Sequence, residues 1–181
     1  PEGQVPVLDH DGHIVTHTSV IGEYLEDAFP DAPALRPSDP LGKARMRYWN
    51  KFCDEQVMNY VSMHGWHRMI SVIARSVEAG EFERLVSRIP LFEQREKWRT
   101  ARSGFSEADL ANATRKIEVA VSEVEKQLAR TAWLAGDMYT LADVGLTPYV
   151  YRLDQIGLAR MWGARPGVAD WYARITARPS F

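Results

Sequence analysis

The alternation of apolar and polar residues changes along the chain, from a short β pattern to long helical patterns. Residues 4–8 alternate and are rich in valine, Asp11-Gly12 is a typical hairpin turn, and residues 13–16 would form the returning strand. Thr18 is a favourable N-cap for the segment that follows, in which apolar residues recur at helical spacing. The first part of the chain is therefore predicted to form two strands and a helix.

Prolines separate this part from the rest of the chain. Four of them lie between Pro30 and Pro40 and predict a stiff connector. Asp39 and Pro40 supply an N-cap and a proline at the first helical position. The helix that begins there is predicted to be long, with one apolar stripe at spacings of three and four residues, formed by Met46, Trp49, Cys53, Val57, Tyr60 and His64.

The remaining sequence predicts further helices. Residues 106–109 (SEAD) resemble a capping box, residues 140–143 (TLAD) open another helix in the same way, and a last helix should begin near Pro166 and stop before Pro179. The arginine-rich stretch from residue 84 to residue 102 is, by its charge alone, most simply a solvated surface loop. An isolated hairpin needs a third strand or more packing to be stable, so we expect the missing part of the first domain upstream of Pro1.

Composition limits the classes of partner and compartment. The chain has 181 residues, 45% of them hydrophobic and 25% charged, which predicts a packed globular core. A net charge of -2 argues against nucleic acid as a partner, and no apolar run approaches the roughly 18 residues that a membrane span needs. The single cysteine, Cys53, excludes an internal disulfide and favours a reducing, cytoplasmic environment.

Val5-Pro6 is the first candidate binding feature. A proline in a strand belongs at an edge or at a strand start. If the Val5-Pro6 bond is cis, the backbone N–H and C=O of Val5 turn outward and can pair with an extended peptide. Base rates for such bonds favour the alternative, an ordinary trans proline at a strand start.

His17 and Thr18 form the second candidate, at the junction between a strand and a helix. Free N–H groups at a helix N-terminus favour a carboxylate, to which the Thr18 hydroxyl can also donate. The alternative is that Thr18 only caps the helix and that His17 is a half-exposed polar residue. Together, the two features would hold a small anionic peptide.

The sequence here resembles glutathione transferases. GQVPVL, the hairpin and VTHTSVIGEYLE resemble the second half of their thioredoxin-like domain, and TLAD resembles the capping box of their helical domain. LEDAFPDAPALRPSDPLGKARMR, GWHRMI and IPLFEQREKWRTARSGF resemble the bacterial β-etherase branch, which is associated with lignin-derived aryl ethers. The family has a Glu or Gln where this chain has His17, and a Ser where it has Thr18.

The resemblance implies a fold and a division into domains. Residues 1–31 would be the C-terminal half of an α/β thioredoxin-like domain, residues 32–39 a proline-rich linker, and residues 40–181 an all-helical substrate-binding domain. Gln4, Val5, Pro6, His17 and Thr18 would bind glutathione as co-substrate. We expect a homodimer, as in the family.

The resemblance also implies a reaction. A glutathione thiolate would attack a small aromatic electrophile, a β-aryl ether, and a phenol would leave. The family's thiol-activating hydroxyl lies in the first loop of the first domain, so the catalytic residue is expected upstream of Pro1 and is unknown. Cys53 lies on the apolar stripe and is expected to be a buried structural thiol.

The aryl substrate is predicted to lie against the long helix. Aromatic side chains hold a ring, and a histidine can donate to a ketone or phenolate oxygen, which suggests a pocket of Tyr60, His64, Trp66, His67 and Tyr149. The alternatives are core packing for Tyr60 and Trp66 and a solvent-facing or capping role for the histidines. His64 and His67 lack a third ligand, so we expect no metal site.

Two other functions stay open at this stage. Loss of the family acid at position 17 removes a partner for the γ-glutamyl ammonium, a charged hydrogen bond worth about 1–3 kcal/mol. A transferase-like binding or scaffold protein without glutathione chemistry is therefore one alternative. The other is a glutathione transferase that acts on different electrophiles.

Overall fold

The computed structural model describes residues 5–180. Strands β1 (Val7–His10) and β2 (His13–Thr16) form an antiparallel hairpin in which Val7 pairs with Thr16 and His10 with His13. The turn places Asp11 at φ 54° and Gly12 at φ 82°, left-handed values that Asp and Gly tolerate best. Helix α1 (Thr18–Ala28) packs on the hairpin, where His10 Nδ1 lies 2.6 Å from the Tyr24 hydroxyl.

The predicted long helix is present as one continuous helical run over residues 40–76. It comprises α2 (Pro40–Phe52), a π-helical segment (Cys53–Met58), α3 (Asn59–Gly65), a second π-helical segment (Trp66–Ile70) and α4 (Ser71–Ser76). Asp39 caps it, its carboxylate accepting from the Gly42 N–H at 2.8 Å, as predicted. The residue pattern contains no signal for the π-helical segments.

The expectation of a surface loop in the arginine-rich stretch was wrong. Helices α5 (Ala79–Val86) and α6 (Phe92–Ser103) contain residues 84–86 and 92–102 of this stretch, and only the short connection between them is non-helical. Some of the arginines form ion pairs, such as Arg99 with Glu83 and Glu96, and others donate to backbone carbonyls, such as Arg102 to Ala74. Phe82, Val86 and Ala101 meanwhile turn inward, so these helices have a buried face that the charge pattern obscured.

Four more helices complete the described chain: α7 (Glu107–Leu128), α8 (Leu141–Gln155), α9 (Arg160–Gly163) and α10 (Pro166–Thr176). Ser106 caps α7 and a full capping box of Thr140 and Asp143 starts α8, both as predicted. None of the helices within residues 5–180 is long and apolar enough to cross a bilayer.

Two apolar clusters hold the helices together. The main cluster joins α2, α7, α8 and α10 and contains most of the predicted stripe, with Met46, Trp49, Cys53 and Val57 all buried. A smaller second cluster, formed by Ala74, Phe82, Val86 and Ala101, joins α4 to α5 and α6. The stripe therefore faces the main core, while the end of the long helix belongs to a separate core.

The N-terminal unit docks on the start of α8. The backbone N–H of Leu141 donates to the Leu35 carbonyl at 2.9 Å. The Leu141 side chain packs closely on Gly22, so that a Cβ added to this glycine would lie 3.1 Å from it. Residues 29–39, all of which are described, hold no helix or strand. The domain limits at residues 31, 32, 39 and 40 stay a prediction.

Candidate functional site

The two predicted binding features lie at the same end of the hairpin. Pro6 directly precedes β1 and His17 directly follows β2, and the pairing of Val7 with Thr16 aligns these two strand ends. The Val5-Pro6 peptide bond is cis, against the base-rate expectation. Val5 is 90% exposed, so solvent reaches this end of the hairpin. Gln4, the remaining predicted glutathione contact, lies outside the described residues.

The prediction that Thr18 is the N-cap was wrong by one residue. His17 occupies the cap with φ 67° and ψ 122°, and its side chain makes no capping hydrogen bond. The first helical bond runs from the Ile21 N–H to the His17 carbonyl at 2.9 Å. Thr18 is exposed and its hydroxyl bonds to no other described residue. The capping alternative for Thr18 is thereby removed.

The N-terminus of α1 has the electrostatic character of an anion site. Its first N–H groups have no carbonyl acceptor within the helix, and its first turn contains no acidic residue. The helix dipole places partial positive charge there, next to the exposed hydroxyl of Thr18. A carboxylate brought to this point gains several donors and meets no nearby negative side chain in the first turn.

A cleft of about 580 Å³ runs from this point between α1 and the long helix. Ser19 and Val20 line it on the α1 side, and the opposite wall is charged and polar: Arg47, Asn50, Lys51, Asp54 and Glu55. Sequence reasoning missed this wall, because charged positions on an amphipathic helix do not show which neighbour they face.

An ion-pair network closes one side of the cleft. The Arg47 guanidinium binds Glu23 with two bonds of 2.7 and 2.6 Å. Arg36 of the connector approaches Glu23 at 3.6 Å and also pairs with Asp27. The hydrogen bond from Arg47 lowers the pKa of Glu23 below its usual range. The network ties α1, the connector and α2 together beside the hairpin end.

The five predicted pocket residues do not all pack against the same apolar cluster. Tyr60 and Tyr149 pack against the main cluster, where burial raises the pKa of Tyr149 to about 12. Trp66 packs against the second cluster, and His67 lies edge-on to Phe105 with a ring-centre distance of 6.2 Å. The assignment of these residues to a substrate pocket stays a prediction.

His64 is buried between α3 and α7, with only 6% of its surface exposed. Its Nε2 lies 3.1 Å from the Thr114 hydroxyl. Burial lowers the pKa of His64, and the neighbouring Arg68 and His67 lower it further. The imidazole is thus held neutral as a bridge between two helices, although the sequence suggested a solvent-facing or substrate-facing role.

Cys53 is unsuited to thiolate chemistry. Its side chain is 2% exposed, and burial raises the pKa of the thiol to about 12. This agrees with the expectation of a buried structural cysteine.

A residue that sequence reasoning did not single out is Lys97 of α6, whose ammonium group lies against Ser62 and Trp66.

Comparison with known proteins identifies the family of this fold. A model of the glutathione S-transferase C-terminal domain matches residues 94–174. Protein LigF of Sphingobium sp. (strain NBRC 103272 / SYK-6) is 40% identical over 190 residues, which cover 99% of this chain and 72% of LigF. Glutathione S-transferase F13 of Arabidopsis thaliana is 26% identical over 183 residues, covering 100% of this chain and 71% of that protein.

Solved structures agree. The crystal structure of beta-etherase LigF from Sphingobium sp. strain SYK-6 matches with a TM-score of 0.93 at 40% identity, covering 99% of this chain and 76% of that one. Glutathione transferase F7 from Populus trichocarpa matches with a TM-score of 0.74 at 22% identity, covering 99% and 72%, and this shows the fold alone. The fold class expected from the sequence is confirmed, and the chain belongs to the glutathione S-transferase family.

Proposed function

We propose that this protein is a glutathione transferase that cleaves β-aryl ethers, with glutathione as the attacking co-substrate. The single observation that carries the proposal is the open N-terminus of α1, which lies at the same end of the hairpin as the exposed Val5. That arrangement suits an extended peptide with a terminal carboxylate. The narrower substrate class, β-aryl ethers, rests on the similarity to LigF, which is named a beta-etherase.

Each binding group has a separate role in this proposal. The Val5 backbone pairs with the glutathione peptide, while the Thr18 hydroxyl and the first N–H groups of α1 hold a carboxylate. The cleft beside Ser19 and Val20 leads away from that position and gives the rest of the ligand a path between α1 and the long helix. The thiol-activating hydroxyl is not assigned to any of the described residues.

The proposed reaction balances without any further reactant. The glutathione sulfur, as thiolate, forms a bond to the carbon that bears the aryloxy group. The carbon–oxygen bond breaks, its electron pair leaves on the oxygen, and the phenolate takes up a proton equivalent to the one lost by the thiol. The products are a glutathione thioether and a phenol in equal amounts.

Phenol release from a model β-aryl ether ketone tests the proposal. The whole protein is incubated with the ketone and glutathione, and phenol and thioether are quantified together by chromatography. Equal amounts of both products are expected. Turnover of an activated aryl chloride without ether cleavage would instead make the protein a transferase for other electrophiles.

A second candidate function is a transferase-like binding protein without catalysis. His17 favours it, since the first turn of α1 contains no acid to pair with the γ-glutamyl ammonium of glutathione. This candidate predicts no product from either substrate, even when the whole protein is folded and glutathione is present at millimolar concentration.

Assembly and compartment are proposed on the same basis. We expect two copies to associate, as the family resemblance implies, and sedimentation velocity of the whole protein would detect the dimer. A cytoplasmic location is supported by the single buried cysteine, which needs no oxidising compartment.

A further inference from the structure

Lys97 is a half-buried cation whose position is not explained by any charge partner. Its Nζ donates to the Ser62 hydroxyl at 2.8 Å and lies 4.8 Å from the centre of the Trp66 ring. Among residues 5–180, no carboxylate forms an ion pair with it. Both of its contacts come from the long helix, Ser62 from α3 and Trp66 from the second π-helical segment.

The sequence offers Lys97 a surface partner that it does not use. Glu93 precedes it by four residues on α6, the favourable order and spacing for a helical ion pair. Other cations on the surface do use such partners: Lys51 pairs with Glu55 and Arg99 with Glu96. Lys97 instead turns inward against an alcohol and an indole.

The inward position has an energetic cost that those two contacts only partly offset. Burial lowers the pKa of Lys97, with no nearby acid to counter the effect. A cation–π contact and one neutral hydrogen bond replace hydration less completely than an anionic oxygen would. The ammonium group therefore keeps donor capacity for a further, negatively charged acceptor.

The surroundings of this group are aromatic. Trp66 meets Trp98 edge to face at 5.1 Å, and both indoles are only partly buried beside the second cluster. Two partly exposed indoles next to a cation favour a flat ring that carries a negative charge. Trp66 was expected to hold an aryl group, and the adjacent Lys97 favours an aryl group that carries a negative charge.

We propose that Lys97, Ser62, Trp66 and Trp98 form a binding site for an aromatic ligand that carries an anionic oxygen, either a carboxylate or a phenolate. The anionic oxygen pairs with Nζ and accepts from Ser62, while the ring packs on the two indoles. This site involves neither the hairpin end nor the N-terminus of α1. It is thus independent of the proposed glutathione chemistry, although an aryl substrate or a phenol product belongs to the same ligand class.

Calorimetric titration without glutathione tests this site in the whole protein. The probes are para-methoxybenzoate and its neutral methyl ester, and para-nitrophenolate above its own pKa with its neutral methyl ether. Each anion is expected to bind at least about tenfold more tightly than its neutral counterpart. A preference for only one anion would identify carboxylate or phenolate as the recognised source of charge.

Variants locate the effect. Lys97→Met is expected to abolish the preference for the anion. Lys97→Gln, which keeps an uncharged donor on a side chain one atom shorter, carries the same expectation should the methionine variant fail to fold. Lys116→Met is the matched control, since Lys116 is exposed on α7 and forms no hydrogen bond or cation–π contact with Ser62, Trp66 or Trp98. It should leave both affinities unchanged.

Several results would overturn the proposal. These are equal binding of anion and neutral probe, no heat at millimolar probe, or a preference that survives loss of the Lys97 charge. Because glutathione is absent from these titrations, such a failure leaves ether cleavage untouched. Conversely, a protein that never turns over an ether can still show the expected anion preference.

Discussion

Removal of the Asp143 carboxylate is expected to destabilise the helical domain strongly. Its Oδ1 accepts from the Leu134 N–H at 3.0 Å and from the Trp171 indole N–H at 2.8 Å, and its Oδ2 accepts from the Thr140 N–H at 2.9 Å. Leu134, Thr140, Asp143 and Trp171 are all fully buried. Alanine at position 143 would leave three N–H donors without an acceptor and without water.

The magnitude follows from those three donors. An unsatisfied buried donor costs about 1–3 kcal/mol, so the sum starts near 3 kcal/mol. Burial raises the pKa of Asp143, which means that burying the carboxylate itself costs free energy. Its removal therefore offsets part of the stability lost with the three hydrogen bonds. We therefore take the lower end, about 3 kcal/mol, equivalent to a fall in Tm of about 6–12 °C for a chain of this size.

Denaturant and thermal unfolding of Asp143→Ala, monitored by circular dichroism, measure this loss. Asp143→Asn should lose less, because its amide oxygen can still accept from Leu134 and Trp171 while its NH₂ group faces the Thr140 N–H. Asp154→Ala, on the exposed face of the same helix, is the control and should be nearly neutral. An alanine variant within about 1 kcal/mol of the parent would refute the reasoning, as would an asparagine variant as unstable as the alanine one.

Three further predictions concern charge and protonation. His17→Glu should tighten glutathione binding about fivefold or more by restoring a partner for the ammonium group, with His13→Glu at the far end of the hairpin as the control. Because the pKa of His64 is lowered in the folded state, its contribution to the free energy of unfolding is fully present above the ordinary histidine pKa of about 6.5 and is lost as the pH drops through the folded pKa. His64→Gln should flatten this part of the curve of stability against pH. An unchanged curve would contradict a buried neutral imidazole. Arg47→Met should raise the pKa of Glu23 toward its ordinary value in an NMR titration, whereas Lys51→Met on the same helical run should not.

Much of the helical architecture is predictable because its signals are local. Asp39, Ser106 and Thr140 are helix caps in the structure, and each is followed by an apolar pattern that places the correct face inward. The π-helical segments at residues 53–58 and 66–70 left no trace in that pattern. They change the backbone hydrogen bonding within a continuous helix; the first segment buries Cys53 and Val57, whereas the second contains no fully buried residue.

The site was less predictable, since it depends on how separate elements meet. Tyr60, Trp66 and Tyr149 were predicted to line one pocket, but helical spacing did not show that the tyrosines face the main cluster and Trp66 the second one. His17 illustrates a different limit. Its positive φ is set by the strand-to-helix junction, and residue preference favoured Thr18 as the cap instead.

Calorimetric titration of glutathione into the whole protein tests the central claim most directly, that the hairpin end and the α1 N-terminus hold this peptide. We predict measurable binding that Thr18→Ala weakens by roughly 1 kcal/mol or more, about fivefold in Kd, because one donor to the carboxylate is lost. Thr100→Ala, an exposed threonine on α6, should leave the affinity unchanged. No heat at millimolar glutathione, or an affinity indifferent to Thr18, would contradict the account.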